Sequence, residues 1–298
     1  MKKIIECVPN FSEGRDLAKI EKIVEPFRNT EGVKLLDHQR DEDHNRLVVT
    51  LVGEPDALAR AVIESMAIAI QVIDMRSHSG QHPRMGAVDV VPFIPVKDVT
   101  MDEAVALSRK LAEEAGAKFN LPIFLYEDSA TRPERRNLAN IRKGQFEGMA
   151  EKLAQPDWAP DFGPAQVHPT AGATAVGARM PLVAYNVNLD TDKIDIATAI
   201  AKKVRYINGG FRYCKAVGIE LKDKGMVQVS MNMTDYRKTA LYRVFEVIRI
   251  EARRYGVNVV GSEIVGLVPM ESLIDSAVYY LGLEGFSMQQ VLETRIWE

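Results

Sequence analysis

An α+β fold of two subdomains, each a ferredoxin-like β-α-β-β-α-β sandwich, is the architecture the sequence predicts. Three observations lead there. Between Lys3 and Val96, short alternating apolar runs and longer runs at helical spacing follow one another in that order. The same order restarts near residue 179, after a stretch rich in proline and glycine. The chain has 298 residues, 46% hydrophobic and 27% charged, an ordinary globular balance that fills its cores without staples. No sequence repeat accompanies the second half, so only the topology is expected to recur. We place the boundary so that residues 1–178 form the first subdomain and residues 179–298 the second.

The elements follow in order. Lys3 to Val8 reads as a strand ended by Pro9-Asn10. Asp16 is an N-cap for a helix running to about Asn29. Val33 to Asp37 is a short strand, Gln39 to Asn45 a polar loop and Arg46 to Val52 a second strand. Leu58, Val62, Met66, Ala69 and Ile73 share one face of a helix from Pro55. The polar segment RSHSGQHPRMG leads into the apolar strand Val88–Val96. A helix over Asp102–Lys118, a strand over Pro122–Tyr126 and one or two helices over Pro133–Leu153 come next. Gln155 to Ala178 has no period, and an irregular stretch of this length is usually functional or a linker. Trp158 and Phe162 favour the first, because aromatic side chains order by burying. In the second half we read a strand Leu182–Leu189 and a helix Asp192–Asn208. A pair of strands, Tyr213–Leu221 and Met226–Met233, turns through Lys222-Asp223-Lys224-Gly225. Leu241–Tyr255 is a helix, Asn258–Ile264 a strand, and helices follow to the end.

Charge and cysteine content narrow the classes. A net charge of -3 and a pI near 6.0 give no nucleic-acid signal. Cys7 and Cys214 read as free thiols of a cytoplasmic protein. The N-terminus has no long apolar run before Pro9, and no stretch approaches the ~20 apolar residues a membrane span needs. No nucleic-acid or membrane partner is expected.

Two of the five histidines stand in RSHSGQHPRMG. His78 and His82 are four apart, a metal spacing on a helix, but Gly80 and Pro83 argue against a helix and no cysteine is near. Two other readings stay open: a solvated loop whose histidines cap turns, and a general base. Neutral histidine can take a proton from an attacking group and return it to a leaving one. In the second reading Pro83 fixes the backbone, Gly86 lets a ligand approach the strand and Arg84 meets an anion. ECVPNFSEGR also follows a strand, and Asn10, Ser12 and Gly14 offer amide and hydroxyl groups. Its glycine spacing is not that of a P-loop. Arg132, Arg135 and Arg136 cluster near a helix start, where the dipole favours anions, so two readings stand there, a solvent-exposed helix end as the default and an anionic ligand beside it.

ECVPNFSEG, HPRMGAVDVVPFIPV, DWAPDFGP, GATAVGAR and VVGSEIVGLVP occur in that order from Glu6 onward. Together they make the chain resemble the glutamate formiminotransferase family, which includes the first domain of formiminotransferase-cyclodeaminase. The resemblance implies two α/β subdomains with a folate-holding tunnel between them, in a homodimer. It implies transfer of a formimidoyl group between N-formimidoyl-L-glutamate and tetrahydrofolate, the latter as co-substrate, with no metal or redox cofactor. The catalytic histidine of the family's H-P-R-M-G falls on His82. Its folate-binding stretch falls on Gly163, Pro164, Ala165, Gln166, Val167, His168, Pro169, Thr170, Ala171 and Gly172. Asn10, Asp37 and Arg84 are the expected substrate-binding residues. The family's usual setting is histidine catabolism. The partners expected are small molecules, folate and glutamate derivatives. The end at Glu298 is expected to mean a stand-alone transferase without the cyclodeaminase.

The sequence departs from the animal enzymes at one point. Their D-x-D becomes Asp37-His38-Gln39, so orientation of His82 falls to Asp41, to Asp43 or to no carboxylate. His168 stands where an apolar residue is expected. Two other activities share these motifs: formyl transfer from 5-formyltetrahydrofolate to glutamate, and folate binding without turnover.

Overall fold

The computed structural model describes residues 3–80, 83–221 and 224–297. The chain divides into two compact units, Met1–Arg179 and Met180–Glu298.

The first unit opens with β1 (Ile4–Cys7) and β2 (Asn10–Phe11), one strand line interrupted at Pro9. Ile5 and Cys7 alternate into the core. α1 (Leu17–Asn29) starts at Asp16, whose carboxylate accepts from Ala18 N and Lys19 N. Those two amides would otherwise be orphans of the first turn. β3 (Val33–Asp41) and β4 (Arg46–Gly53) form a hairpin turned at Asn45, φ 49°. α2 (Pro55–Val72) and β5 (Val88–Lys97) follow. α3 (Met101–Phe119) carries a capping box between Thr100 and Glu103. β6 (Ile123–Glu127), two five-residue helices α4 (Leu138–Arg142) and α5 (Met149–Leu153), and β7 (Thr174–Ala178) complete the unit.

Its sheet runs β3, β4, β1/β2, β5, β7, β6. From β3 to β5 all pairings are antiparallel, and the first strand line lies between β4 and β5. This is the split arrangement the sequence predicts. β7 then joins β5 and β6 in parallel. Ile23, Phe27, Leu58, Met66 and Leu111 of the three long helices pack with Ile5, Leu47, Leu51 and Phe93 in the main core.

Two expectations need correction here. Thr174–Ala178 lies in the stretch expected to be irregular, yet it is an inner strand buried along its whole length. Such a strand has no solvent side, so it shows no alternation. Gln39 to Asp41, expected in a loop, extends β3. β3 is an edge strand, where exposed polar and charged residues are usual.

In the second unit, β8 (Val183–Leu189), α6 (Ile194–Val204), β9 (Cys214–Leu221), β10 (Met226–Met233), α7 (Leu241–Arg253) and β11 (Val259–Val265) repeat the order. The sheet is β11, β8, β10, β9, antiparallel throughout. Val187, Val229, Ile200, Val244 and Ile248 form its core. The helix expected to Asn208 ends at Val204, because Arg205 is extended (φ -81°, ψ 144°). α8 (Met270–Leu281) and α9 (Leu292–Trp297) close the chain. Of the expected turn at Lys222–Gly225, Lys222 and Asp223 lie outside the described residues.

Candidate functional site

Strand register places the expected polar residues on one face of the first sheet, opposite its helical layer. Directly paired residues share a face. Gln39, Val48, Asn10, Val90, Ala175 and Phe124 pair in succession across β3, β4, β2, β5, β7 and β6. Asp37 pairs with Thr50 on the same face. Beyond Asn10 the face turns apolar, with Met85, Val90, Phe124, Tyr126, Ala175, Ile141 and Met149 in one cluster. Asn10 is buried and donates from Nδ2 to Val8 O at 2.8 Å. Asp37 accepts from Gln39 Nε2 at 2.9 Å, so the residue that departs from the D-x-D pattern bonds to the retained acid. Asp41 is committed elsewhere: its two oxygens take His44 N at 2.8 Å and His44 Nδ1 at 2.7 Å.

The loop between α2 and β5 is pinned on both sides of its tip. His78 holds one side. Its Nε2 lies 3.0 Å from Asn45 O, which can only accept, and its Nδ1 accepts from Arg84 Nε at 3.2 Å. Asn45 donates from Nδ2 to Ser79 O at 3.0 Å, and its Oδ1 accepts from Gly14 N at 2.9 Å. A Cβ on Gly80 would stand 2.3 Å from His44 O, which leaves room there for glycine alone. Arg84 holds the other side. It is 7% exposed. Its Nη1 donates to Gln145 and Glu147, and its Nη2 to Glu147 and His78 O, at 2.7–3.1 Å. With the bond to His78, all five guanidinium N–H groups are engaged within the protein. The anion that Arg84 meets here is Glu147. His82 itself lies outside the described residues.

Burial, aided by the Arg84 charge and opposed by the Asn45 hydrogen bond and Glu13, holds His78 below its ordinary 6.5. The sign follows: the unfolded state binds the proton more readily, so this contribution to stability is complete above about pH 6.5 and lost as pH falls below it. Urea midpoints of wild type and His78→Gln, measured on either side of pH 6.5, are expected to diverge less at the acid side. Equal pH dependence in the two proteins would contradict this.

The Gly163–Gly172 stretch meets the same loop through backbone. Gly86 and Gly172 form a bridge, with Ala87 N donating to Ala171 O at 2.9 Å and Ala173 N to Met85 O at 3.0 Å. Ser12 joins them, its Oγ donating to Gly86 O at 2.7 Å. Gly86 was expected to admit a ligand. The neighbour it admits is the chain itself, since a Cβ there would stand 2.1 Å from Ala173 O. Gly172 has φ +74° and a Cβ there would stand 2.2 Å from Met85 O. Gly172→Ala is expected to cost at least ~1–3 kcal/mol for the backbone alone, read as a lower urea midpoint; an unchanged midpoint would refute the tight junction. His168 closes the stretch on itself, its Nδ1 accepting from Ala171 N at 2.9 Å. Burial lowers its pKa, consistent with the acceptor role.

The arginine cluster, read as a solvent-exposed helix end or an anion site, is paired internally. Arg135 is 2% exposed and meets Asp161 at 2.7 Å; Arg132 lies 3.7 Å from Asp157 and Arg136 3.6 Å from Asp128. Sequence reasoning missed Asn45, Gln145, Glu147 and Arg142. Only Asn45 had a local signal, asparagine being favoured where φ is positive.

Two family models match the chain in succession: the formiminotransferase domain, N-terminal subdomain, over residues 4–179, and the formiminotransferase domain over residues 184–295. The chain belongs to the formiminotransferase family. One similar protein is the glutamate formimidoyltransferase of Streptococcus pyogenes serotype M1, 57% identical over 99% of both chains. Another is that of Thermoplasma acidophilum, 46% identical over 98% of this chain and 97% of the other. The formimidoyltransferase-cyclodeaminase of Rattus norvegicus is 41% identical over 95% of this chain. This formiminotransferase chain spans 53% of that longer protein.

Within this formiminotransferase the site residues divide by role. His78, Arg84, Gly86 and Gly172 bond to the protein and fix the loop. Asn10, Asp37 and Gln39 lie on the polar side of the sheet face, Asn10 buried and Gln39 exposed.

Proposed function

We propose that this formiminotransferase moves a formimidoyl group between N-formimidoyl-L-glutamate and tetrahydrofolate, giving 5-formimidoyltetrahydrofolate and L-glutamate. The observation that carries the reading is the backbone ladder joining Met85–Ala87, beside His82 in sequence, to Ala171–Ala173 at the end of the Gly163–Gly172 stretch. A base beside one segment and a pterin against the other would then be neighbours. Positioning two substrates makes their encounter intramolecular, which supplies much of the rate.

N5 of tetrahydrofolate attacks the formimidoyl carbon and gives its proton to His82. The tetrahedral intermediate then loses the glutamate nitrogen, which takes that proton back as the carbon–nitrogen bond breaks. One group serving in turn as base and acid suits histidine. Asn10 and Asp37 face the substrates from the sheet, and the Gly163–Gly172 backbone lies along the folate. Free, buried Cys7 and Cys214 support a cytoplasmic setting, and a homodimer is the proposed assembly, read by light scattering.

A steady-state assay tests the reaction. Purified protein, tetrahydrofolate and N-formimidoyl-L-glutamate should yield 5-formimidoyltetrahydrofolate by mass spectrometry. N-formyl-L-glutamate is run in parallel. Product from the formyl donor alone would replace this reading with formyl transfer.

A further inference from the structure

Two arginines flank the loop and the apolar edge of the site face, and they differ in how their donors are used. Arg84 has none to spare. Arg142, at the end of α4, uses one: Nη2 donates to Asp89 Oδ2. Asp89 is 2% exposed, and its other oxygen accepts Met85 N at 2.8 Å. Arg142 is thereby tied to the backbone of the H-P-R-M-G segment through one carboxylate. Its side chain is 16% exposed, and its Nη1 has no acceptor among the described residues. Its Nε is buried with no acceptor among the described residues.

A buried guanidinium N–H without an acceptor is costly. That Nε has no exposed surface, and Arg135 Nε is orphaned likewise, so an incoming acceptor is met by the accessible Nη1 and not by Nε. The free edge of a guanidinium presents two parallel N–H groups, the geometry that matches a carboxylate. The surroundings reinforce the charge: Arg46 is close enough to Arg142 for its own pKa to be lowered by burial and then by that neighbour. Tyr126, 2% exposed on the same face, is also within the field of Arg142.

We infer that Arg142, not Arg84, receives a carboxylate of the glutamate donor, with Asp89 holding the guanidinium in place. This rests on the transfer reaction proposed above. Recognition is then a specificity contact made equally in the ground and transition states, so its loss appears in KM.

The test uses Arg142→Lys and Arg142→Met in the full chain. Lysine keeps a charge for the buried Asp89 and so guards against misfolding, but it cannot present the fork. Calorimetric binding and steady-state kinetics are run with N-formimidoyl-L-glutamate and with its two mono-amides, in each of which one carboxylate is neutral. The expected result is a fall of roughly 10- to 100-fold in donor affinity and kcat/KM for both variants. Here kcat and the KM for tetrahydrofolate are nearly unchanged. One mono-amide should lose as much in wild type and lose nothing further in the variants. Wild-type donor affinity in folded Arg142→Lys would overturn the inference. Additive losses for both mono-amides, or a rise confined to the KM for tetrahydrofolate, would overturn it too. Donor that binds wild type but is never transferred would sink the reaction instead, with the binding comparison still deciding Arg142.

Discussion

His82→Ala is expected to lower turnover by roughly 10²–10⁴-fold, the range for loss of a general acid–base group, while the fold and the binding of both substrates persist. The chain's other histidines are engaged elsewhere. His78, in the same loop, has both ring nitrogens occupied, with Asn45 O and Arg84 Nε. His44 is tied to Asp41 at 2.7 Å. His168 Nδ1 closes its own turn, and His38 lies on the helical side near Arg28. Transfer moves a proton off one nitrogen and onto another, so loss of the base should fall on kcat. Stopped-flow turnover beside calorimetric binding reads the two separately. A folded His82→Ala protein with unchanged kcat would contradict the assignment.

Asp161→Ala is expected to be the most destabilising of the single changes considered, by about 3–5 kcal/mol. Arg135 and Asp161 form a buried pair at 2.7 Å, with side-chain exposures of 2% and 8%. Asp161 also accepts Leu125 N at 2.8 Å and the Thr131 hydroxyl. Arg135 lies over the Phe124 and Trp158 rings and donates to Asp157 O and Ala159 O. Removing the carboxylate strands a buried cation and a β6 amide together. Against a usual total of ~5–15 kcal/mol, that is a large share. The consequence reaches the site, because Asp161 sits two residues before Gly163 and anchors the start of that stretch to β6. Arg136→Ala, which breaks an exposed pair with Asp128 at 3.6 Å, should cost ~1 kcal/mol or less. Urea unfolding of the two variants gives the contrast. An Asp161→Ala midpoint no lower than that of Arg136→Ala would refute it.

What was legible in the sequence was local. Asp16 marks a helix start because capping is a matter of a few residues. Both β-α-β-β-α-β halves are readable because most of their strands and helices expose one face and so keep a period, while buried β5 shows as a long apolar run. β7 was not, since an Ala- and Gly-rich strand buried along its length carries no period. The site divides in the same way. Two of its segments stand out as motifs, one rich in histidine and one in glycine and proline. Their junction at Gly86 and Gly172 is a tertiary contact that neither segment announces. Arg84 illustrates the limit: an arginine in a polar loop suggests an external anion, but its carboxylate, Glu147, comes from 63 residues away. DWAPDFGP is similar. It reads as an aperiodic stretch until Arg135 and the β6 backbone are placed around Asp161.

The measurement that bears most directly on the transfer reaction is an isotope experiment. N-formimidoyl-L-glutamate carrying heavy carbon and heavy nitrogen in the formimidoyl group is turned over once with tetrahydrofolate and excess enzyme. Recovery of both labels together on tetrahydrofolate, with unlabelled glutamate released, is the expected result. Heavy carbon arriving without heavy nitrogen, or both labels remaining with glutamate, would contradict intact formimidoyl transfer.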